Sequence, residues 1–341
     1  MNQRRPQRVL MVTVEWPREA WGGTAHFIVR QVEFLRAAGL EVDVFDFVGA
    51  RDPRNYLRAW REVRRRIKTG NYDLVHAQFG QSALAALPCP LPLVVTLRGD
   101  DLLGILHDTE GHITPLGRLT SMIVRFATRQ ADEVIVVSEH MRQFINHGAE
   151  PHVIPSGLNF DLFRVMPQEE ARRAAALPLD KKLVLFVGNP DLARKRYGLA
   201  RETVNRLAER MPAVELVLGW GVPHDRMPYL MNAADALIFT SLQEGSPNAV
   251  KEALACNLPV VSVPVGDVAE RLRGVSNCEL VPEDNPDALA AALERVLKRG
   301  GRSEGRTAVA NLDEQVIAQR VINVYTRAVR GHHIRANGKA P

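Results

Sequence analysis

The sequence has few cysteines, no long apolar run and little excess charge, and each shortage excludes a class of protein. Its 341 residues hold three cysteines, Cys89, Cys256 and Cys278, which are far apart and form no C-x-x-C pair. We therefore expect neither a disulfide framework nor a structural zinc site, and a reducing cytoplasm fits best. No run approaches the roughly 18 apolar residues of a membrane-spanning helix. The formal net charge is only +5, and we expect no nucleic-acid partner.

Two motifs of cofactor and metal sites are also missing. The G-x-G-x-x-G fingerprint of dinucleotide-binding folds is absent, which disfavours a dehydrogenase. No D-x-D pair stands in a suitable loop, because Asp100 and Asp101 are adjacent and would not both point at one ion. We expect neither a metal ion nor a cofactor.

Short valine-rich runs alternate with helical spacings along the whole chain. Residues 9–14 predict a first strand, and Ile28, Val32 and Leu35 predict one buried helix face. The alternation restarts after a polar stretch, so the sequence predicts an α/β protein with two parallel sheets, each covered by helices on both faces. The expected divisions are an N-terminal domain at 1–166, a C-terminal domain at 167–311, a long helix at 312–330 and a disordered tail at 331–341.

The most informative segment is 240–259. A strand ends at Thr240 and a loop carries Glu244, after which Ser246 is a good N-cap and Pro247 a good first helical residue. The N-terminus of this helix would lie at the carboxyl edge of a parallel sheet. Its unpaired amides and its dipole would form an anion site there.

Glu252 sits on the same helix, roughly 8 Å from its start at 1.5 Å per residue. Two carboxylates would then bracket a phosphate site, which is the layout of a nucleotide-sugar. Glu252 would bind ribose hydroxyls and Glu244 the hydroxyls of the sugar. Two merely solvated glutamates are the alternative, and the strand, loop, capped helix and strand around them favour the functional interpretation.

Further segments resemble the retaining glycosyltransferases of the large family 4, and the resemblance covers nearly the whole chain. Their order and spacing carry it more than any one of them does. They are Gly22-Gly23 before a helix, D-L-V-H-A at 73–77, A-D-E-V-I-V-V-S at 131–138, V-I-P-S-G-L at 153–158, F-V-G at 186–188 with Lys195 seven residues later, and A-A-D at 233–235.

The resemblance implies the GT-B fold, in which two Rossmann-like domains face a central cleft and the last helix crosses back to the first domain. It implies metal-independent, retaining transfer of a hexose from a nucleotide-diphosphate sugar, with UDP favoured. Lys195 and the helix amides would neutralise the leaving diphosphate. The implied catalytic residues are Glu244, Lys195 and Arg98, and those binding the donor are Gly22, Gly23, Asn189, Lys195, Ser246, Asn248, Ala249 and Glu252. His76 and Asp101 are expected on the acceptor side. His76 ends a predicted strand at the cleft, and a structural histidine is the alternative for it.

The sequence departs from the family pattern at several positions. Asn189 stands where an arginine is common and Pro247 where a glycine is frequent. Arg98 replaces a common histidine; it cannot act as a base and would instead bind phosphate or an acidic acceptor. The stretch between residues 218 and 233 is short, which puts the nucleobase in doubt. Trp220 in this stretch would either stack on the base or fill the core.

The acceptor and the cellular site follow from the resemblance and from one basic segment. The resemblance is to bacterial surface-polysaccharide enzymes, so we expect a lipid-linked or cell-surface polysaccharide acceptor. The helix predicted at 53–69 is rich in arginine, and it either docks on anionic lipid at the inner face of the plasma membrane or packs on the first sheet with a solvated basic back. A nucleotide-sugar epimerase or hydrolase and a non-catalytic binding subunit remain alternatives.

Overall fold

The computed structural model describes residues 6–17, 25–49, 52–104, 106, 108–145, 148 and 150–337. The chain divides into two compact units. Unit 1 takes in the described residues of Met1–Ile105, Ile113–Gly157 and Glu314–Pro341, and unit 2 those of Leu106–His112 and Leu158–Asp313. Along the chain, unit 1 ends at Gly157 and unit 2 continues from Leu158, whereas the expected boundary is at residue 166.

Unit 1 is built on a six-stranded parallel sheet in the order β2-β1-β3-β4-β5-β6. The chain steps outward from β1 to β2 and then returns to β3 on the other side of β1, which places a topological switch point between β1 and β3. The strands are β1 (Arg8–Thr13), β2 (Glu41–Asp46), β3 (Leu74–Gln78), β4 (Leu93–Leu97), β5 (Glu133–Val136) and β6 (His152–Val153).

Helices cover both faces of this sheet. One layer consists of α1 and the C-terminal helix α13, which contact each other, and the other consists of α2, α3 and α5, with α3 contacting both of its neighbours. Ile28, Val32 and Leu35 are buried on α1, as their spacing predicts. The helices are α1 (His26–Ala37), α2 (Pro53–Thr69), α3 (Gly80–Ala86), α4 (Asp100–Leu103), α5 (Pro115–Arg129) and α13 (Glu314–Asn337).

Helix α13 belongs to unit 1, which confirms the predicted return of the last helix. The expectation of a disordered tail from residue 331 is wrong for the described residues, because α13 continues to Asn337. Two side chains of this last part hold the helix in place: His332 Nδ1 lies 3.3 Å from Asp132 Oδ1, and Arg335 contacts the same carboxylate.

Unit 2 contains a five-stranded parallel sheet in the order β11-β10-β9-β7-β8, with its switch point between β7 and β9. Its strands are β7 (Lys182–Val187), β8 (Val214–Gly219), β9 (Ala236–Phe239), β10 (Val260–Ser262) and β11 (Glu279–Leu280). Its helices are α6 (Gln168–Ala174), α7 (Tyr197–Ala208), α8 (Met227–Ala233), α9 (Asn248–Ala255), α10 (Val268–Leu272), α11 (Pro286–Arg299) and α12 (Gly305–Ala308).

None of the described helices combines the length and the apolar character that crossing a bilayer requires.

Candidate functional site

The site forms in unit 2, where β7 and β9 end beside each other at the switch point. The loop after β7 and the loop after β9 are joined by several hydrogen bonds. Leu242 N donates to Arg194 O at 2.7 Å, Thr240 Oγ1 donates to Lys195 O at 3.0 Å, and Arg196 Nε donates to Thr240 O at 2.7 Å. These contacts fix the backbone of both loops before any ligand is bound.

The two loops bring two cations to one carboxylate. Lys195 Nζ lies 2.6 Å from Glu244 Oε1, and an Arg194 guanidinium nitrogen lies 3.0 Å from the same oxygen. The side chains of Lys195 and Glu244 are only 15% and 13% exposed. Burial by itself raises the pKa of Glu244, but the charges of Lys195 and Arg194 outweigh it, so the pKa of this carboxyl lies below its usual range. The cluster therefore joins two cations to a single carboxylate.

Two glycines allow this close packing. Gly188 directly follows β7 at φ +149°, and a Cβ there would lie 3.3 Å from Lys195 Cδ. Gly266 has φ +55°, and a Cβ there would lie 2.9 Å from Gly245 O and 3.0 Å from Glu244 O. A side chain at either position would push against the loop that carries the ion pair.

Helix α9 follows this loop, but its start differs from the expectation. The helix begins at Asn248 with Pro247 at the N-cap position and no side chain capping it. The predicted cap by Ser246 is wrong because its hydroxyl donates to Asp267 Oδ2 at 2.8 Å. Asp267 is buried and also accepts from Arg271 Nε at 3.0 Å. The Ser246 side chain thus anchors the loop to Asp267. Asn248 and Ala249 are the first two residues of α9, directly after this loop.

The remaining predicted donor residues of unit 2 have partners of their own. Asn189 Oδ1 accepts from Asp191 N at 3.0 Å, which closes a turn after β7. Glu252 lies on α9, and its Oε1 is 3.3 Å from His224 Nε2. Trp220 follows β8 and is 39% exposed, so it does not fill the core. Gly22 and Gly23 lie outside the described residues.

Arg98 belongs to unit 1 and follows β4. Its guanidinium donates to Gln31 Oε1 at 2.7 Å, to Gln78 Oε1 at 2.7 Å and to Ser156 Oγ at 2.9 Å, and it lies 4.6 Å from the centre of the Phe27 ring. All of these partners are uncharged. Burial lowers the pKa of Arg98 to about 10, so the group stays protonated at neutral pH. The carboxylates of Asp101 and Glu15 act on the guanidinium through space and favour its charged form, but none of its hydrogen-bond partners is a carboxylate.

The structure does not support an acceptor role for His76. The residue is fully buried within β3, with Nδ1 2.7 Å from Tyr325 Oη and Nε2 2.7 Å from Thr96 Oγ1. Burial, together with the charge of Arg98, lowers its pKa to about 3. The side chain joins α13 to the sheet, and no part of it is accessible to an acceptor.

Asp101 is likewise a structural residue and not an acceptor contact. It is buried, and its carboxylate accepts from the backbone N–H groups of residues 80, 98, 99 and 102 at 2.9–3.1 Å. Burial raises its pKa in spite of these four donors. Asp101 thereby fixes the turn that presents Arg98.

The apolar side of the basic helix is used inside unit 1. Ala59 and Val63 of α2 are buried, and Trp60 Nε1 donates to Leu87 O at 2.9 Å. Glu62 accepts from both Arg65 and Arg66. Helix α2 therefore packs on the sheet through Ala59 and Val63 and presents a basic outer side, on which Leu57 is 49% exposed.

Among the described residues, one group has the spacing of metal ligands: Asp108, Glu110 and His112. The group is exposed or half-buried, and His112 Nδ1 lies 2.7 Å from Asp108 Oδ2. The Glu244 cluster contains cations where a metal site would need further anions. Independence from metal stays a prediction.

Three contributors are not among the site residues assigned from the sequence. Arg194 binds Glu244, and its only signal is its position next to Lys195. His224 contacts Glu252 from an irregular loop, and Asp267 anchors Ser246 from 21 residues further along the chain. Nothing local in the sequence indicates either of these two contacts.

Two family models match successive parts of the chain. The model described as Glycosyltransferase Family 4 matches residues 21–162. The model described as Glycosyl transferases group 1 matches residues 181–299.

Curated relatives are similar over about two thirds of the chain. The putative teichuronic acid biosynthesis glycosyltransferase TuaC of Bacillus subtilis (strain 168) is 29% identical over 247 residues, which are 65% of this chain and 61% of that protein. The D-inositol 3-phosphate glycosyltransferase of Mycobacterium tuberculosis (strain ATCC 25177 / H37Ra) is 28% identical over 278 residues, 70% of this chain and 56% of that protein. The matches thus span about 60% of the length of these relatives.

Solved structures share the fold over nearly the whole chain. Sucrose-phosphate synthase from Thermosynechococcus elongatus superposes with a TM-score of 0.76 at 20% identity and covers 94% of this chain and 98% of its own. Anabaena HepE in complex with UDP gives a TM-score of 0.60 at 16% identity, with 97% and 99% covered.

Proposed function

Because the chain belongs to the family 4 glycosyltransferases of the GT-B fold, we propose that it transfers a hexose from a nucleotide-diphosphate sugar to a lipid-linked or cell-surface polysaccharide acceptor. The transfer would retain the anomeric configuration and need no metal ion. UDP is the favoured nucleotide, and the UDP complex of the similar Anabaena protein supports this choice.

The observation that carries the proposal is the cluster of Lys195, Arg194 and Glu244 at the switch point of unit 2. Two cations share one carboxylate beside the uncapped start of α9. Such a site would bind a diphosphate. The helix amides and the charged side chains would interact more strongly with the leaving oxygen as negative charge develops on it. Glu244 would then orient the sugar, and Glu252, one turn into α9, would bind the ribose.

The retaining step needs no base from the protein in this scheme. The acceptor hydroxyl attacks the anomeric carbon on the face that the diphosphate leaves. The departing phosphate oxygen takes the hydroxyl proton, and the carbon–oxygen bond to phosphate breaks as the new glycosidic bond forms. Lys195 and Arg194 would hold the departing charge.

Arg98 favours an acceptor or phosphate group that carries negative charge. Its guanidinium is held in a fixed orientation by neutral partners, so it can bind an anion without first giving up an internal carboxylate. The names of the two relatives, which concern teichuronic acid and inositol 3-phosphate, agree with an anionic acceptor for this chain.

The first experiment is a thermal-shift panel with UDP, GDP, ADP, CDP and dTDP, without metal and then with magnesium. A ligand at 100 times its Kd stabilises the protein by about 2.7 kcal/mol. We expect a metal-independent shift with UDP that Glu252→Ala reduces. The exposed Glu209, substituted as Glu209→Ala, is the matched control and should leave the shift unchanged.

Product analysis separates the alternatives. Labelled sugar from an α-linked donor should appear on the polysaccharide acceptor. An α-linkage in that product, measured by NMR, would support the proposal. Release of free sugar, or an altered donor sugar, in the same amount with and without acceptor would show a hydrolase or an epimerase. Nucleotide binding with no turnover under any of these conditions would show a non-catalytic subunit.

A further inference from the structure

Helix α5 of unit 1 exposes a continuous row of large apolar side chains. Met122 is 67% exposed, Phe126 59% and Leu119 52%. At 100° per residue the exposed apolar residues fill a stripe about 120° wide, while Ser121, Val124 and Thr128 on the opposite side are buried. The row consists of Leu116, Leu119, Met122, Ile123 and Phe126. A contiguous row of this kind marks an interaction surface.

Arginines border this apolar row. Arg118, Arg125 and Arg129 follow one another at spacings of seven and four residues, which places them along one edge of the stripe. Helix α5 has no acidic residue. No carboxylate in the described part of the chain forms an ion pair with any of these three arginines. Their charge therefore remains available to a partner.

The basic side of α2 lies in the same helix layer. Helix α3 contacts α2 on one side and α5 on the other, so the outer sides of α2 and α5 face the same way. Together the three helices carry ten arginines and lysines and one acidic residue, Glu62. Their net charge of +9 exceeds the +5 of the whole chain, so the rest of the chain is net negative. The positive charge is concentrated on this one layer.

We propose that this layer docks unit 1 on an anionic lipid surface. The apolar row of α5 would enter the interface between headgroups and acyl chains, and the arginines of α5 and α2 would bind headgroup phosphates. A second copy of the chain is disfavoured as the occupant, because two such layers would bring like charges face to face. The proposal does not depend on the donor site, which lies in unit 2.

The test is sedimentation of the full chain with vesicles. Vesicles of phosphatidylcholine with about one third phosphatidylglycerol are compared with phosphatidylcholine alone. We expect binding to the anionic vesicles that weakens at high salt, and a loss of at least about ten-fold in affinity for the combined variant Leu119→Ser, Met122→Ser and Phe126→Ser. The variant Arg118→Ala, Arg125→Ala and Arg129→Ala should lose a similar part of the binding to anionic vesicles only.

Matched controls use exposed apolar residues elsewhere. Leu179, 51% exposed, and Ile334, 62% exposed, are substituted together as Leu179→Ser and Ile334→Ser, which should not change vesicle binding. UDP-induced stabilisation is measured on every variant and should stay as in the unchanged chain, which shows that folding and the donor site are intact. Equal binding of the α5 variant and the unchanged chain would overturn the proposal. A dimer in light scattering that the α5 variant abolishes would overturn it in favour of a second copy.

Discussion

Lys195 Nζ lies 2.6 Å from Glu244 Oε1, and the two residues come from different loops at the same edge of one sheet. The contact joins the group proposed to stabilise the leaving diphosphate to the group proposed to orient the sugar. Arg194 shares the same carboxylate oxygen at 3.0 Å, so neutralising Glu244 would leave two cations together. Substitutions of these residues can separate their roles, because each one changes the charge of the cluster or the position of its side chains in a different way.

Glu244→Gln should abolish most transfer without loss of nucleotide binding. The amide keeps the size of the side chain but removes the negative charge, so the two cations bind a diphosphate at least as well as before. We expect kcat to fall by about 10²–10³-fold. UDP affinity, measured by calorimetry, should be unchanged or tighter. A variant with near-normal kcat would contradict the assignment of Glu244.

Lys195→Ala should show the opposite pattern. It removes a charge-assisted contact to the diphosphate, so UDP binding should weaken by at least about ten-fold. Lys181, which pairs with Glu215 at 3.0 Å on another part of unit 2, offers the matched control Lys181→Ala. Equal effects of the two lysine substitutions on UDP affinity would argue against a diphosphate at Lys195.

Gly266→Ala should disturb the site more than its backbone strain alone explains. Gly266 and Gly274 both have positive φ, +55° and +74°, but only at Gly266 would a Cβ meet other atoms, the carbonyl oxygens of Gly245 and Glu244. Each alanine should cost about 1–2 kcal/mol of stability through its conformation. Only Gly266→Ala should shift the Glu244 loop and slow transfer, by about 10²-fold. A comparable loss of rate in Gly274→Ala would show that the effect is general destabilisation.

Arg98→Gln should separate acceptor binding from donor binding. The amide can still bond to one of the neutral partners, but the charge offered to an anionic acceptor is gone. We expect the KM for an acidic acceptor to rise by about ten-fold or more while UDP affinity stays the same. Steady-state kinetics with an acidic and a neutral acceptor is the measurement. An equal rise in KM for both acceptors would point to a positional role for Arg98.

The strands were predictable because their signal is local. The valine-rich run at 9–14, which predicts the first strand, becomes β1 at Arg8–Thr13, shifted by one residue. The pair Glu244 and Lys195 was also assigned from sequence, although their contact was not. The cap by Ser246 was wrong because Asp267, a distant residue, competes for the hydroxyl.

Burial was the property that the sequence could not give. His76 follows two apolar residues of a strand, and from the sequence it is expected on the acceptor side. In the structure, Tyr325 from the far end of the chain packs over the His76 ring. The apolar stripe of α5 has the spacing of an ordinary core helix, and only the packing of the layer shows that it faces outward. Both depend on which distant elements come to lie on a given surface.

Tyr325→Phe should destabilise unit 1. The substitution removes the hydroxyl 2.7 Å from His76 Nδ1 and leaves that buried nitrogen without its partner. We expect a loss of about 1–3 kcal/mol in the free energy of unfolding. Tyr72→Phe is the control: its hydroxyl bonds to the Asp43 carboxylate, which is 41% exposed and can bind water instead, so this substitution should cost less. Urea unfolding monitored on both variants would contradict the prediction if Tyr325→Phe were as stable as the unchanged chain.

The buried His76 should also make the protein less stable in mild acid. Its pKa is lowered to about 3 in the folded chain, whereas an unfolded histidine titrates near 6.5. Its contribution is therefore complete above pH 6.5 and is lost as the pH falls toward 3, by about 1.4 kcal/mol per pH unit. Urea midpoints at pH 7.5, 6.0 and 5.0 should fall less steeply in His76→Gln, which cannot titrate, than in the unchanged chain. His112→Gln, at an exposed histidine whose pKa Asp108 raises, should keep the steep decline. Parallel declines in the unchanged chain and His76→Gln would show that other groups control the loss of stability in acid.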